Sequence, residues 1–329
     1  FFESTRGTYG LTSASTLSSG SFYIYNWTAN GLFLRREPSG NRIDNLRLVQ
    51  NTSSAGQSAE QLISNEKCSA ALDETGAKTS LTSISYSDTT WSLLFNCDSV
   101  FASTELRQAL ASVARDAAEV PDTGLFSTAT GLIPDGLTVD GIDYRAAAGD
   151  PTPDIANAKQ LYLDARQGMQ NSDFNKVTLM LPAGSGLTQA AEEINGEWQK
   201  QFSLFFSIEE VEQEEFDKRL ASGDYTIALA PISAESGSVY SILNQFTEQG
   251  GGLTNYGNAL YSTQLSASTT ATGSTRCSLL AACERQLVSD CAVVPLFAQQ
   301  KRLLIASGIK NLVFDPFGPV LDLTFTTKE

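Results

Sequence analysis

The sequence predicts an α/β fold, a mostly parallel sheet with helices packed on it. Three observations carry that. Residues 177–230 alternate strand and helix periodicities in the order β-α-β-α-β, which right-handed crossovers turn into neighbouring parallel strands. Further helices, from about 104 and from 158, carry apolar residues at i, i+3, i+4 and i+7. Apolar residues make up 41% of the 329, enough for a sizeable core and too many for a disordered chain.

SFYIYNW (21–27) opens the series. Phe22 and Ile24 face one way, and Tyr23, Tyr25 and Trp27 the other, so both faces are expected to be covered. The aromatic stripe is either core or ligand-facing. GLFLRRE (31–37) follows Asn30-Gly31, and Pro38-Ser39-Gly40-Asn41 is a turn. A strand fits 45–49, a helix 57–64 and a short strand 69–72. TWSLLFN (90–96) is apolar and extended. Leu106, Ala109, Leu110, Val113 and Ala117 stripe a helix over about 104–118. Residues 121–152, rich in Gly, Pro and Asp, read as a long ordered loop. Asp154 is the expected N-cap of the next helix, striped by Ala158, Leu161, Tyr162, Ala165 and Met169.

Val177, Leu179 and Leu181 then alternate in a strand, and Leu187, Ala191, Ile194, Trp198 and Phe202 stripe a helix. Leu204, Phe206 and Ile208 alternate again. Phe216 and Leu220 mark a short helix closed by Gly223, and YTIALA (225–230) is a strand. Gly250 to Gly252 and the Ser/Thr-rich run 266–275 read as loops. A helix is expected over about 277–289, a buried strand at AVVPLF (292–297) and short strands over 302–325.

Composition excludes much. Lys plus Arg is 22 against 37 Asp plus Glu, a net charge of −15 that repels phosphate backbones and argues against nucleic-acid binding. The chain has no histidine, which removes His-based triads, His metal ligands and His pH switches. No run approaches the roughly 18 apolar residues of a membrane span. The five cysteines, Cys68, Cys97, Cys277, Cys283 and Cys291, form no CxxC pair. They read as single thiols, or as one or two disulfides with a thiol left over. Length suggests about two domains at roughly 150 residues each.

Several short motifs read as ordinary structure. Asp122-Thr123-Gly124 has no second copy to share a proton, so it is a turn. Ala183-Gly184-Ser185-Gly186 lacks both the nucleophile-elbow and the phosphate-loop patterns. The five carboxylates between Glu209 and Glu215 suit a solvated strand end and an acidic first helical turn. Asn26-Trp27-Thr28 and Asn51-Thr52-Ser53 are formal glycosylation sequons. Glu235 directly follows an apolar strand, where open α/β folds place ligands, and a carboxylate there can pair with an ammonium. No nucleophile–base pair or metal set can be assembled, so no enzymatic activity and no cofactor are expected.

Taken together, the blocks resemble the peptide/nickel/oligopeptide class of solute-binding proteins of ABC importers. Leu106-Arg107-Gln108-Ala109-Leu110 resembles the family's V-R-x-A-L helix start, although Arg115-Asp116 inverts the usual Asp-Arg pair. Gly131-Leu132-Ile133-Pro134 with Tyr144-Arg145, and Ala158-Lys159-Gln160-Leu161, resemble the blocks that follow. Glu209 to Leu220 with Ser222-Gly223-Asp224-Tyr225 resembles its E-x-x-x-[FY]-x-x-x-L…G-D-[FY] block. Val294-Pro295-Leu296-Phe297 resembles its returning hinge strand, and Gly20 to Trp27 a strand of the first lobe.

The resemblance implies a two-lobed periplasmic-binding-protein-like fold, with mixed, mostly parallel sheets flanked by helices and the N-terminal part of the first lobe absent. Residues 1–95 would belong to lobe I, 96–296 to a hinged second lobe, and 297–329 would return to lobe I. The strands 90–96 and 292–297 would cross between lobes. Many peptide binders carry Gly-Trp-x-Ala-Asp-Tyr where this chain has Pro231, Ile232, Ser233, Ala234, Glu235 and Ser236. The carboxylate is kept and the Trp is lost. The implied ligand contacts are Glu235, Ile232, Ser233, Ala234, Ser236 and Asn96. The implied function is capture of a peptide or other small solute for a membrane permease, by a monomer outside the cell or in the periplasm. The alternatives are a sensor of the same fold and a binder of a non-peptide solute.

Overall fold

The computed structural model describes residues 21–29, 31–38, 40–49, 57–73, 75–234, 236–317 and 321–329. Glu235, the sequon at Asn51-Thr52-Ser53, and Gly20, Asn30 and Ser39 of the motifs above lie outside them.

A six-stranded sheet organises the larger body. Its order is Ser207–Val211, Thr178–Pro182, Ile227–Ser233, Thr89–Phe95, Val293–Gln299 and Phe126–Thr128. The expected β-α-β-α-β unit supplies the parallel part, with Thr178–Pro182 parallel to both of its neighbours. The other three pairings are antiparallel, so the sheet is mixed rather than mostly parallel. The cause is topological. Thr89–Phe95 enters from a second body and Val293–Gln299 leaves toward it, so the two run in opposite directions side by side.

Both faces of this sheet are covered. Trp91, Leu93, Phe95, Leu179, Leu181, Ile227 and Leu229 point into one core with the helices Thr104–Ala117 and Thr188–Phe202. Leu94, Met180, Ala228, Ala230 and Val293 point into another with Gln213–Ser222, Val239–Asn244, Ala259–Ser268 and Gly273–Ser289. This two-faced burial explains why the central strands read as apolar runs rather than half-polar alternations.

The second body holds a three-stranded sheet in the order Ala70–Asp73, Lys301–Ile305, Thr82–Tyr86. Thr82–Tyr86 runs into Thr89–Phe95, and Val293–Gln299 runs into Lys301–Ile305. The chain thus changes sheets twice, at Ser87–Asp88 and at Gln300. The strands expected to cross, 90–96 and 292–297, instead lie within the larger sheet, and the crossings sit at their outer ends. Asp88 and Lys301, both largely buried, pair there at 2.9 Å.

Prolines obey the ladder. The bonds Asn96 N–H to Thr226 and Ala234 N–H to Asp88 set the alternation, so Pro231 turns its nitrogen away from Thr89–Phe95. On that other side the Thr178–Pro182 pairing has ended at Ala228, and the missing donor costs no ladder bond.

Four local expectations are corrected. Tyr23–Thr28 is a strand, but a bulge at Tyr25 breaks the alternation and puts Trp27 on the face of Ile24, and Tyr23, Tyr25 and Trp27 are 44, 54 and 41% exposed. The N-cap before Ala158 is Asn157 in the left-handed region, not Asp154. The strand expected over 204–208 is Ser207–Val211, because Leu204 and Phe206 are buried ahead of it. The Ser/Thr-rich run is largely helical, with Ala259–Ser268 and Gly273–Ser289 on either side of a short link. All five cysteines are free thiols. Burial pushes the Cys97 and Cys291 thiols each up to about 11 and Cys283 up to about 12, which keeps them protonated and unreactive at neutral pH.

Removing one member of a buried pair strands the other charge. Lys301→Met is expected to cost about 3 kcal/mol in urea unfolding. Asp88→Asn combined with Lys301→Met should recover part of that loss, and a single variant as stable as the parent would refute the pair's role.

Candidate functional site

A cleft of about 710 Å³ lies at the two crossings. One wall is Ile84, Ser85, Tyr86 and Ser87, with Val313 to Phe317 from the C-terminal segment. The other is Ser127 to Gly131 and Pro134 to Gly136, with Thr90, Ala298 and Gln300 at its base. Its volume falls in the range of small-molecule sites, roughly 300–1,000 Å³. Hydroxyls dominate its polar groups, and the charged side chains on its lining are Asp135 and Asp315.

The wall over residues 129–136 is held from behind by a buried ion pair. Glu284, fully buried on helix Gly273–Ser289, accepts hydrogen bonds from the Ile133 N–H at 3.0 Å, the Tyr144 hydroxyl at 2.8 Å and Arg145 Nη2 at 2.6 Å. The same Nη2 donates to the Ile133 carbonyl at 2.7 Å. Burial first, and then the Glu284 charge, push the Tyr144 phenol far above its usual value, so it stays a donor. A Cβ on Gly131 would stand 2.5 Å from Arg145 Nη2 and 2.8 Å from Glu284 Oε1, so only glycine lets the loop approach the pair. The resemblance set Gly131-Leu132-Ile133-Pro134 with Tyr144-Arg145 in one loop; the fold joins the two through Glu284.

The predicted ligand residues separate into groups. Ser233, at the end of its strand, faces Thr89 across the ladder, and the Ala234 N–H donates to the Asp88 carbonyl at 2.7 Å. These residues therefore sit at the first crossing. Ser233 and Ser236 are exposed, while Ile232 and Ala234 are buried in the core and offer backbone and shape rather than side-chain contacts. Asn96 is at the opposite end of the same ladder, seven residues along a strand from Thr89. Its amide nitrogen donates to the Gly223 and Tyr225 carbonyls at 3.0 Å each. It is a structural tie and does not join the others.

Phe317 connects the two groups of walls. A Cβ on Gly237 would lie 2.1 Å from the Phe317 carbonyl oxygen, and one on Gly136 would lie 3.3 Å from its ring. Both glycines have positive φ, +65° and +91°. A phenylalanine reached after the second crossing therefore seats between two glycine turns of the larger body.

No protein-family model and no curated protein matches the chain. Solved structures do. OppA of Listeria monocytogenes, bound to peptide, aligns at TM-score 0.64 and 19% identity over 99% of this chain and 68% of that one. The pheromone receptor PrgZ, studied for its mode of peptide binding, aligns at 0.66 and 18% over 100% and 68%. A putative peptide-binding protein, AppA of Clostridium difficile, aligns at 0.73 and 17% over 94% and 67%. The chain shares the fold of these structures. The two-lobed α/β architecture expected from the sequence is therefore present, and the chain spans about two thirds of the length of these structures.

What sequence reasoning missed was the cleft wall itself. Residues 121–152 lack a period, yet they contribute Phe126–Thr128 and the turn at 129–136. The matched Gly131-Leu132-Ile133-Pro134 block was the signal within reach.

Glu284→Gln removes the charge that balances Arg145. It is expected to cost about 3 kcal/mol in denaturant unfolding, and parental stability would show the pair to be dispensable. Gly237→Ala forces a side chain into the left-handed region, at about 1–2 kcal/mol, and into the Phe317 carbonyl. Its melting temperature should fall, and an unchanged value would contradict the contact.

Proposed function

We propose that this chain is the solute-capturing component of an importer. It binds a peptide or another small solute in the cleft at the crossings and delivers it to a membrane permease. The observation that carries this reading is the position of the cleft. It takes its walls from both bodies and has its base at Thr90, Ala298 and Gln300 beside the two crossings, so rotation about Ser87–Asp88 and Gln300 would open and shut it. The peptide-bound relative of the same fold supports a peptide as the ligand. On this reading residues up to the first crossing and beyond the second form lobe I, and the protein works as a monomer outside the cell or in the periplasm.

Binding would proceed by closure rather than reaction. Backbone pairing gives affinity that is largely independent of side chains, and waters fill side-chain pockets of varied size. Glu235, between the described Ala234 and Ser236, is proposed to face the ligand ammonium. Its neighbour's hydrogen bond to Asp88 ties this segment to the first crossing. A desolvated carboxylate is costly without a partner, so the pair gains its strength when the cleft shuts.

The test is calorimetry with a free-amine peptide and its acetylated form. Glu235→Gln is expected to weaken binding of the free-amine peptide tenfold or more and to leave the acetylated form much less affected. Equal losses would remove this role, and failure of the parent protein to bind any peptide would overturn a peptide as its ligand.

A further inference from the structure

The C-terminal segment reaches from one body to the other. It is rooted in the second body, where Lys301–Ile305 lies in the three-stranded sheet. There the Ala306 N–H donates to the Ser69 carbonyl at 2.9 Å and Lys328 Nζ donates to the Ser69 hydroxyl at 3.2 Å. Two short antiparallel ladders carry the segment outward, Ile309–Lys310 on Thr327–Lys328 and Val313–Phe314 on Leu321–Asp322. Past them, Asp315 Oδ1 accepts the Phe317 N–H at 2.9 Å and fixes the turn. Phe314 stays with the second body, its ring centroid 4.9 Å from that of Tyr86. Three residues on, Phe317 packs against the core of the larger body.

Its seat lies between Gly136 and Gly237. Gly136 belongs to the wall held from behind by Glu284 and Arg145. Gly237 donates its N–H to the Ala234 carbonyl at 2.9 Å, and so belongs to the segment bonded to Asp88. Val313 to Phe317 also line the cleft. The segment is therefore a third connection between the bodies, and unlike the two crossings it is not covalent. It also differs from the buried ion pairs, whose breaking strands a charge. Phe317 is half-buried and its seat is apolar side chains and glycine backbone, so leaving the seat gives up apolar contact alone.

Resting on the proposed reading of the cleft as the solute site, we infer that Phe317 is a latch. In its seat it holds the two bodies together across the cleft, and it leaves that seat each time the cleft opens to exchange solute. Gly237 directly follows the segment 232–236 proposed to meet the ligand, so a bound ligand and a seated Phe317 brace the same turn and favour each other.

The test uses the whole chain. Without ligand, small-angle X-ray scattering should give a larger radius of gyration for Phe317→Ala than for the parent, with Phe317→Leu between them. A pool of random pentapeptides is then passed over the immobilised parent, retained peptides are identified by mass spectrometry, and one is resynthesised for stopped-flow binding. With the seat empty, that peptide should dissociate about tenfold faster and associate at least about threefold faster, because a gate slows passage in both directions. Faster dissociation at an unchanged association rate would make Phe317 a ligand contact and overturn the latch. A Phe317→Ala variant that is folded by circular dichroism and scatters like the parent overturns it too. Should the alanine variant not fold, Phe317→Leu is read in the same way, and parental values for it overturn the latch. Retention of no peptide by the parent overturns a peptide as the ligand, and the scattering still decides the latch.

Discussion

The structure depends on a double crossing held by a buried charge pair. Two strands pass from the three-stranded sheet into the six-stranded sheet, and Asp88 and Lys301 meet where they do so. A buried pair contributes little net stability against an apolar alternative but is costly to break, so it acts as a constraint on geometry. The cleft has its base at the crossings, the Ala234 segment is bonded to the Asp88 carbonyl, and the edge strand pairs with the strand that leads to Gln300.

A second buried pair holds one wall of the cleft. Glu284 and Arg145 join a helix of the larger body to the turn that forms a cleft wall, with Gly131 small enough to let them approach. Phe317 closes the arrangement by seating between Gly136 and Gly237. On the proposed reading, walls held in this way and joined by two narrow crossings would suit a clamp that captures by closing.

The helices over 104–118, 188–202 and 213–222 were legible because their apolar stripes are local and each buries a face on the sheet. Gly223 was legible as a stop because a left-handed C-cap requires it. The helix over 259–268 was not, because Ser and Thr favour caps and turns; here Thr263 and Ser262 bond back to the Ala259 and Asn258 carbonyls one turn earlier. Tyr23, Tyr25 and Trp27 misled for the opposite reason. Their alternation reports a strand, and says nothing of what covers it.

By itself the sequence determined the α/β class, the parallel unit, most helices and the exclusion of histidine chemistry, since these rest on composition or on contacts between near neighbours along the chain. The tertiary structure alone decided that most pairings of the sheet are antiparallel, the sites of crossing, the separation of Asn96 from Ala234, and the edge at Thr128. Each of these depends on strands paired across more than a hundred residues of intervening chain, and a pairing at that distance leaves no period in the sequence to read.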